Sequence, residues 1–373
     1  MKAAGLPLQR ARDAKLLVID ETGGLQFAPR TRLIDFLQPG DLVVANDAAT
    51  LPASLRGWHV RTTTPIEARL AGRRSLRVDD VHEFSAIVFG GGDHRMRTEE
   101  RPWPPALRAG DVLALGPLRA RVQRLLGHPR LIELRFDGSA DAIWAGIAQH
   151  GKPIQYAHIH DPLALWDVWT RVAALPVAFE PPSAGFVLDW GLLHALRERD
   201  VGFATLTHAA GISSTGDPQL DTRLPFDEPY HLPAATVRAI QRTRLEGGQV
   251  IAIGTTVTRA LEHAAVSGGG TPRPGHGVAD QRIGASTRLR VVSAMLSGTH
   301  EAGSSHHELL RAFMPDAVLS RADAALAAHG FRIHEFGDSV LIRDMRTSVR
   351  TATVVSSRNM APIKGIGYVE SVC

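Results

Sequence analysis

The chain has one cysteine among 373 residues, and it is the last, Cys373. That excludes an internal disulfide, a cysteine zinc site and a buried cysteine nucleophile. Lysine is nearly as scarce: Lys2, Lys15, Lys152 and Lys364 are the only ones. No apolar run approaches the roughly 20 residues that a membrane span needs, so no membrane partner is expected. The N-terminal segment lacks the charged, apolar and small-residue order of a secretion signal, which makes a cytoplasmic protein the expectation. No G-x-S-x-G is present, so a serine nucleophile elbow is missing. No His-x-x-x-His is present either. His158 and His160 would share a strand face, and His306 and His307 are adjacent. Neither pair has a third ligand at a recognisable spacing, so no metal is expected.

What is present suffices for a real core, with 44% hydrophobic residues. The formal net charge is +4, carried almost wholly by arginine. Two readings stay open: biased composition, since alanine and glycine are also abundant, or a phosphate-binding surface.

Residues 15–20 and 42–45 read as strands of an α/β unit. From about 60 to 138 the character changes. Residues 66–70, 76–78, 84–89, 112–115, 119–122 and 131–136 are short alternating runs punctuated by Gly, Pro and Asp, the spacing of a small barrel or sandwich. Residues 140–150 form an amphipathic helix closed by Gly151. Helices over 163–174, 190–199, 233–246, 287–296, 306–313 and 320–329, with strands over 202–206, 331–336 and 340–342, restore the α/β pattern. Residues 267–285 read as a flexible loop. The expected architecture is an α/β domain interrupted by an inserted small β-barrel domain. Residues 1–59 and 153–343 make the α/β part, 60–152 the barrel and 344–373 a tail.

Residues 251–262, I-A-I-G-T-T-V-T-R-A-L-E, are the most informative stretch. The apolar run 250–253 reads as a buried strand, and Gly254 breaks it. Thr255 or Thr256 can cap a helix that carries Arg259 and Glu262. Free N–H groups and the dipole of such a helix start attract an anionic group. Any α/β protein can own this turn, and Arg259 with Glu262 would equally serve as an exposed helix pair.

Six segments together say more. They are Gly40-Asp41-Leu42-Val43-Val44-Ala45-Asn46-Asp47 with Leu51-Pro52-Ala53; Glu180-Pro181-Pro182-Ser183-Ala184-Gly185-Phe186; Phe226-Asp227-Glu228-Pro229-Tyr230; Gly254-Thr255-Thr256 with Arg259 and Glu262; Ser286-Thr287 leading to Val292-Ser293-Ala294; and Gly330-Phe331 through Phe336-Gly337-Asp338. Their order and spacing resemble the S-adenosylmethionine:tRNA ribosyltransferase-isomerase family, over roughly residues 14–343. The resemblance implies an α/β domain with an inserted β-barrel. It implies S-adenosylmethionine as co-substrate, tRNA as partner and no metal. The implied reaction moves the ribosyl carbons of S-adenosylmethionine to the aminomethyl group of 7-aminomethyl-7-deazaguanine in an anticodon. Epoxyqueuosine forms, and adenine and methionine leave.

That chemistry asks for particular parts. The sulfonium acidifies the adjacent ribose methylene, so a positioned base can remove a proton there. A donor or acid at adenine helps it leave. The methionine carboxylate suits a helix N-terminus or an arginine, and the sulfonium suits oxygens, carboxylates or aromatic faces. On the resemblance, Asp47, Glu228 and Arg259 are the catalytic candidates. Asn46, Ser183, Ala184, Gly185, Gly254, Thr255 and Thr256 are the candidates for holding S-adenosylmethionine. Asp338, in the turn Gly337-Asp338, is expected to be structural.

The departures from the family gather where a substrate belongs. Its A-P-T-A-G-L-H-F-T stands here as Glu180-Pro181-Pro182-Ser183-Ala184-Gly185-Phe186-Val187-Leu188-Asp189, with Val187 in place of histidine. Its T-L-H-V-G is Thr205-Leu206-Thr207-His208-Ala209, the histidine displaced by one, which flips its face on a strand. Its M-H-x-E loses the histidine around Leu224 to Glu228. Its T-N-F-H-L-P-K-S-T is Ala279-Asp280-Gln281-Arg282-Ile283-Gly284-Ala285-Ser286-Thr287, where Arg282 replaces one charge. Its Y-Q-T-V-Y is Leu165-Trp166-Asp167-Val168-Trp169. Two other readings follow: a paralogue using S-adenosylmethionine with a small-molecule acceptor, as a transferase, lyase or isomerase, and a non-catalytic RNA-binding protein.

Overall fold

In the strand Leu42–Asn46, Leu42 and Val44 enter one core cluster, Val43 and Ala45 enter another, and all four are buried. A strand apolar on both faces belongs inside a sheet covered on both sides. A computed structural model, which describes residues 1–5, 13–300 and 304–345, places it fourth of nine. The order across the sheet is Gly275–Ala279, Glu228–Leu232, Gly202–His208, Leu42–Asn46, Val250–Ile253, Ala294–Gly298, Ser339–Arg343, Lys15–Ile19 and Leu25–Pro29. The third to sixth strands run parallel, with Leu42 opposite both Gly202 and Val250, and Ile251 opposite Ala294. Val237 and Ile240 of helix Ala234–Leu245, with Val257 and Leu261 of helix Thr255–Ser267, cover one face. Leu33, Leu37, Val187, Leu188 and Leu196 cover the other.

The inserted domain is a closed barrel of six antiparallel strands: Leu118–His128, Leu131–Phe136, Glu83–Gly90, Thr64–Gly72, Ser54–His59 and Val112–Leu115. Its core is built from alternate residues such as Leu55, Ala68, Leu70, Leu113, Leu115, Ala120, Val122, Ile132 and Leu134. Closure leaves no open sheet edge. Helix Ala140–His150 packs on it through Ile143 and Ile147. Ser139 Oγ accepts from Ala142 N at its start, and Gly151 ends it. The first barrel strand begins at Ser54, earlier than the boundary at 60 expected from the sequence. The chain enters and leaves the barrel through a parallel pair, Ala48–Thr50 with Leu175–Ala178.

Several local expectations are corrected, most of them by a long-range contact. Residues 287–296 are not helical: Ala294–Gly298 is a sheet strand, and the N–H groups of Arg290, Val291 and Val292 donate to the Glu262 carboxylate instead of to a helix. The helix over 163–174 shrinks to Leu165–Val168, because Thr50 Oγ1 donates to Val168 O and Trp169 Nε1 donates to Thr50 O. Residues 76–78 are irregular, with Arg73 donating to Arg77 O. The loop over 267–285 holds the edge strand Gly275–Ala279, paired antiparallel with Glu228–Leu232. A side chain at Gly277 would collide with the Tyr230 ring, so glycine is what lets this strand close up. The strand expected over 331–336 is only Arg332–Ile333, paired with Lys2–Ala3. Asp338 is fully buried and accepts from Lys15 N at 2.8 Å and Arg332 N at 2.7 Å, a structural role. The expected tail lies outside the described residues from 346 onward.

Candidate active site

Four parallel strands end side by side at Asn46, His208, Ile253 and Gly298. Beyond the carboxyl ends of such strands is where open α/β sheets bind ligands. A cleft of about 290 Å³ opens there, close to the lower end of the roughly 300–1,000 Å³ usual for small-molecule sites.

Gly254 forms its floor. Its φ of 96° lies in the region that favours glycine, and a Cβ there would come within 3.3 Å of Ala184 Cβ. The neighbouring threonines are not the caps that the sequence led us to expect. Gly254 itself is the N-cap residue, without a side-chain cap bond, and Thr255 opens helix Thr255–Ser267. Thr255 and Thr256 line the cleft, as do Ser183 and Ala184. Asn46 lies beneath: it is buried, and its Nδ2 donates to His208 O at 2.9 Å and to Thr256 Oγ1 at 3.3 Å. Its Oδ1 accepts from His208 N at 2.9 Å. Asn46 thus fixes the threonine that the cleft presents. Gly185 is a packing position, where a Cβ would meet Thr170 Cγ2 at 2.9 Å.

Arg259 and Glu228 meet as a buried ion pair at the cleft wall. Arg259 Nη2 also donates to Ala279 O at 2.7 Å and to Phe226 O at 3.2 Å. The guanidinium therefore ties its helix to the two edge strands. Glu228 Oε1 accepts from Gly211 N at 2.6 Å. Burial raises the Glu228 carboxyl above its usual value, and Arg259 opposes the rise. Behind the pair, His208 Nε2 lies 3.5 Å from Glu228 Oε2. Burial, with the charge of Arg259, holds His208 well below its usual value, so it stays neutral. The displaced histidine thus ends inside the wall. Glu262 is buried rather than exposed and does not pair with Arg259. Asp47 does not reach the cleft lining: its Oδ1 accepts from Thr207 Oγ1 at 2.6 Å.

The opposite chemistry sits on residues that the sequence did not single out for the site. Glu180 is 6% exposed and lines the cleft. It accepts from the Tyr156 hydroxyl and, through Oε2, from Ser213 N at 3.0 Å. Burial, then the nearby charge of Glu335, pushes its carboxyl up to about 7. Glu335 accepts from or pairs with His158 Nε2 at 3.1 Å. Burial works against its charge, but His158 holds it below its usual value. His300 and His306 also line the cleft and stack with ring centres 4.0 Å apart. Burial pushes both down, His306 to about 4. Glu180 lies in the segment 180–186, but sequence carried no sign that Tyr156 and Glu335 would close around it.

Among the described residues, no group of three or more His, Cys, Asp or Glu side chains is placed to hold a metal ion. Among the same residues, no helix is long and apolar enough to cross a membrane.

The fold and cleft define an α/β protein with a barrel insertion and a cleft at the strand ends. The chain belongs to the family described as queuosine biosynthesis protein, whose model matches residues 2–342. It is similar to the S-adenosylmethionine:tRNA ribosyltransferase-isomerase of Synechococcus elongatus, 30% identical over 350 residues that cover 88% of this chain and 89% of that one. The Pelobacter propionicus enzyme of the same name is 31% identical, covering 91% of this chain and 95% of its own. A crystal structure of S-adenosylmethionine tRNA ribosyltransferase from Thermotoga maritima aligns with a TM-score of 0.48 and 22% identity, over 91% of this chain and 95% of that one.

Proposed function

We propose that the protein transfers the ribosyl moiety of S-adenosylmethionine to 7-aminomethyl-7-deazaguanine in tRNA, releasing adenine and methionine. The observation that carries this reading is the cleft at the strand ends, with Gly254, Thr255 and Thr256 opening a 13-residue helix into it, in a chain of this family. The parts fit the co-substrate. The helix start suits the methionine carboxylate. Carboxylates in the lining, Glu180 and Glu228, suit a sulfonium and a substrate amine. Ser183 and Ala184 line the floor against Gly254. Arg259 and Glu228 act as one wall unit, and Asn46 and Asp47 hold the strand ends that shape it.

The test is incubation with S-adenosylmethionine, with and without tRNA carrying the deazaguanine base, while adenine is followed. Release that requires tRNA is the expected result. Release without tRNA transfers the reading to a small-molecule acceptor, and failure to bind S-adenosylmethionine sinks it.

A further inference from the structure

We infer that Glu180 is the proton-exchanging group of this cleft: its carboxylate takes the proton from the ribose methylene beside the sulfonium and hands it to the departing adenine. This rests on the ribosyl transfer proposed above and names the side chain that moves its proton.

The inference follows from which groups in the cleft are free to act. Glu228 has one oxygen on Arg259 and the other on Gly211 N. Asp221 and Glu308 also line the cleft, but Asp221 Oδ1 already accepts from both Thr215 N and Thr215 Oγ1, and both Glu308 oxygens accept from Arg311. Asp47 and His208 are not in the lining. His300 and His306 are stacked on each other and held unprotonated, which makes them weak bases. Glu180 differs. Each oxygen has one donor, the Tyr156 hydroxyl on Oε1 and the Ser213 N–H on Oε2. Each oxygen accepts at two lone pairs, so capacity remains for a substrate. Among the described residues no arginine or lysine pairs with it: Arg69 is engaged with Glu67 and lies over the Tyr156 ring at 5.6 Å. Four residues on, Ala184 abuts the Gly254 floor, so the carboxyl and the cradle share one site.

The groups that face it set its proton affinity. Glu335, with His158 behind it, raises it, and Tyr156 and Ser213 lower it. The result, about 7, is the range in which a group both accepts and returns a proton efficiently. In the first step the C–H bond breaks, its electron pair stays on the carbon beside the positive sulfur, and the proton moves to Glu180. In the second, that pair forms a double bond to the neighbouring ring carbon as its bond to the ring oxygen breaks, the oxygen's pair forms a carbonyl at the carbon that bears adenine, and adenine leaves with the C–N pair and takes the proton from Glu180. No oxidant or metal is needed. Tyr156 and Glu335 are positioning residues.

The experiment follows adenine release, with S-adenosylmethionine and deazaguanine-bearing tRNA, across pH. For the wild type, kcat rises with pH through about 7. Glu180→Gln keeps the size of the side chain and one oxygen to accept from Ser213 N–H, and is expected to lose about 100-fold or more in kcat, with a smaller loss of S-adenosylmethionine affinity from the missing charge, so that the effect falls mainly on kcat. Glu335→Gln removes the charge that raises Glu180 and moves the acid limb to lower pH. Tyr156→Phe removes a donor that lowers it and moves the limb to higher pH. A Glu180→Gln protein that turns over at the wild-type rate, or an acid limb that stays fixed in the other two variants, overturns the inference and leaves the proposed function standing. A wild-type protein that releases no adenine brings down both.

Discussion

The barrel and the cleft each bury a glutamate, Glu67 at 3% exposure and Glu180 at 6%. Burial opposes the charge on both. In the barrel, Arg69 and Arg101 more than offset it, and Glu67 is held down at about 2. In the cleft, the charge that acts on Glu180 is another carboxylate, and its carboxyl rises to about 7. Equal burial thus gives a permanently charged structural group in one place and a proton-exchanging group in the other. The sign of the neighbours decides which.

The two groups also load stability onto opposite sides of the pH scale. The folded pKa of Glu67 lies below its unfolded value, so its contribution is present above about 4.5 and is lost as pH falls toward about 2. The folded pKa of Glu180 lies above its unfolded value. The fold is unburdened below about 4.5 and loses stability as pH rises toward about 7.

The largest effect is expected from Glu67→Gln, which leaves Arg69 and Arg101 buried without their counter-charge. Urea unfolding at neutral pH should show a loss of about 3–5 kcal/mol; a change below about 1 kcal/mol, the worth of an exposed pair, would break the contrast. Arg259→Ala also breaks a buried pair, but the Glu228 it leaves behind is already inclined to take a proton. Its cost should sit near the lower end of that range, about 3 kcal/mol at neutral pH, and shrink as the solution is acidified. A cost that grows on acidification contradicts this account of the wall.

Glu180→Gln carries the opposite sign. It should stabilise the fold by up to about 3 kcal/mol above pH 7 and by almost nothing near pH 4. Thermal unfolding at the two pH values reads this directly, and a loss at pH 8 would mean the carboxyl is charged and paired after all. The smallest effect is expected from Gly254→Ala, about 1–2 kcal/mol for placing a side chain at positive φ. S-adenosylmethionine binding, followed by calorimetry, should weaken alongside it, because Thr255 and Thr256 follow that turn.

The same contrast explains what could be read from the chain. The barrel announced itself because alternation along strands such as Leu131–Phe136 is a local signal. The turn at Gly254 was legible for the same reason: an apolar strand, a glycine and two threonines are adjacent. Arg259 was set beside Glu262, three positions away, yet its partner is Glu228, 31 positions away. Glu262 instead takes the N–H groups of residues that were expected to be helical. Glu180 needed Tyr156, 24 positions away, and Glu335 far beyond. Periodicity records which face of an element is apolar, but not which buried charges the packing will bring together.

The parallel pair between Ala48–Thr50 and Leu175–Ala178 has a consequence for how the molecule is made. Everything between those segments can close on itself while later sequence is still being synthesised, since domains tend to fold as units during translation. The strand Leu42–Asn46 has to wait, because both its neighbours, Gly202–His208 and Val250–Ile253, emerge afterwards. Such distant pairings form slowly. The six barrel strands are therefore all made before the sheet has a centre, while Phe179, Ile212, Leu220 and Leu224 complete the barrel core later, and the cleft, which needs all four strand ends, is among the last parts of the protein to come into being.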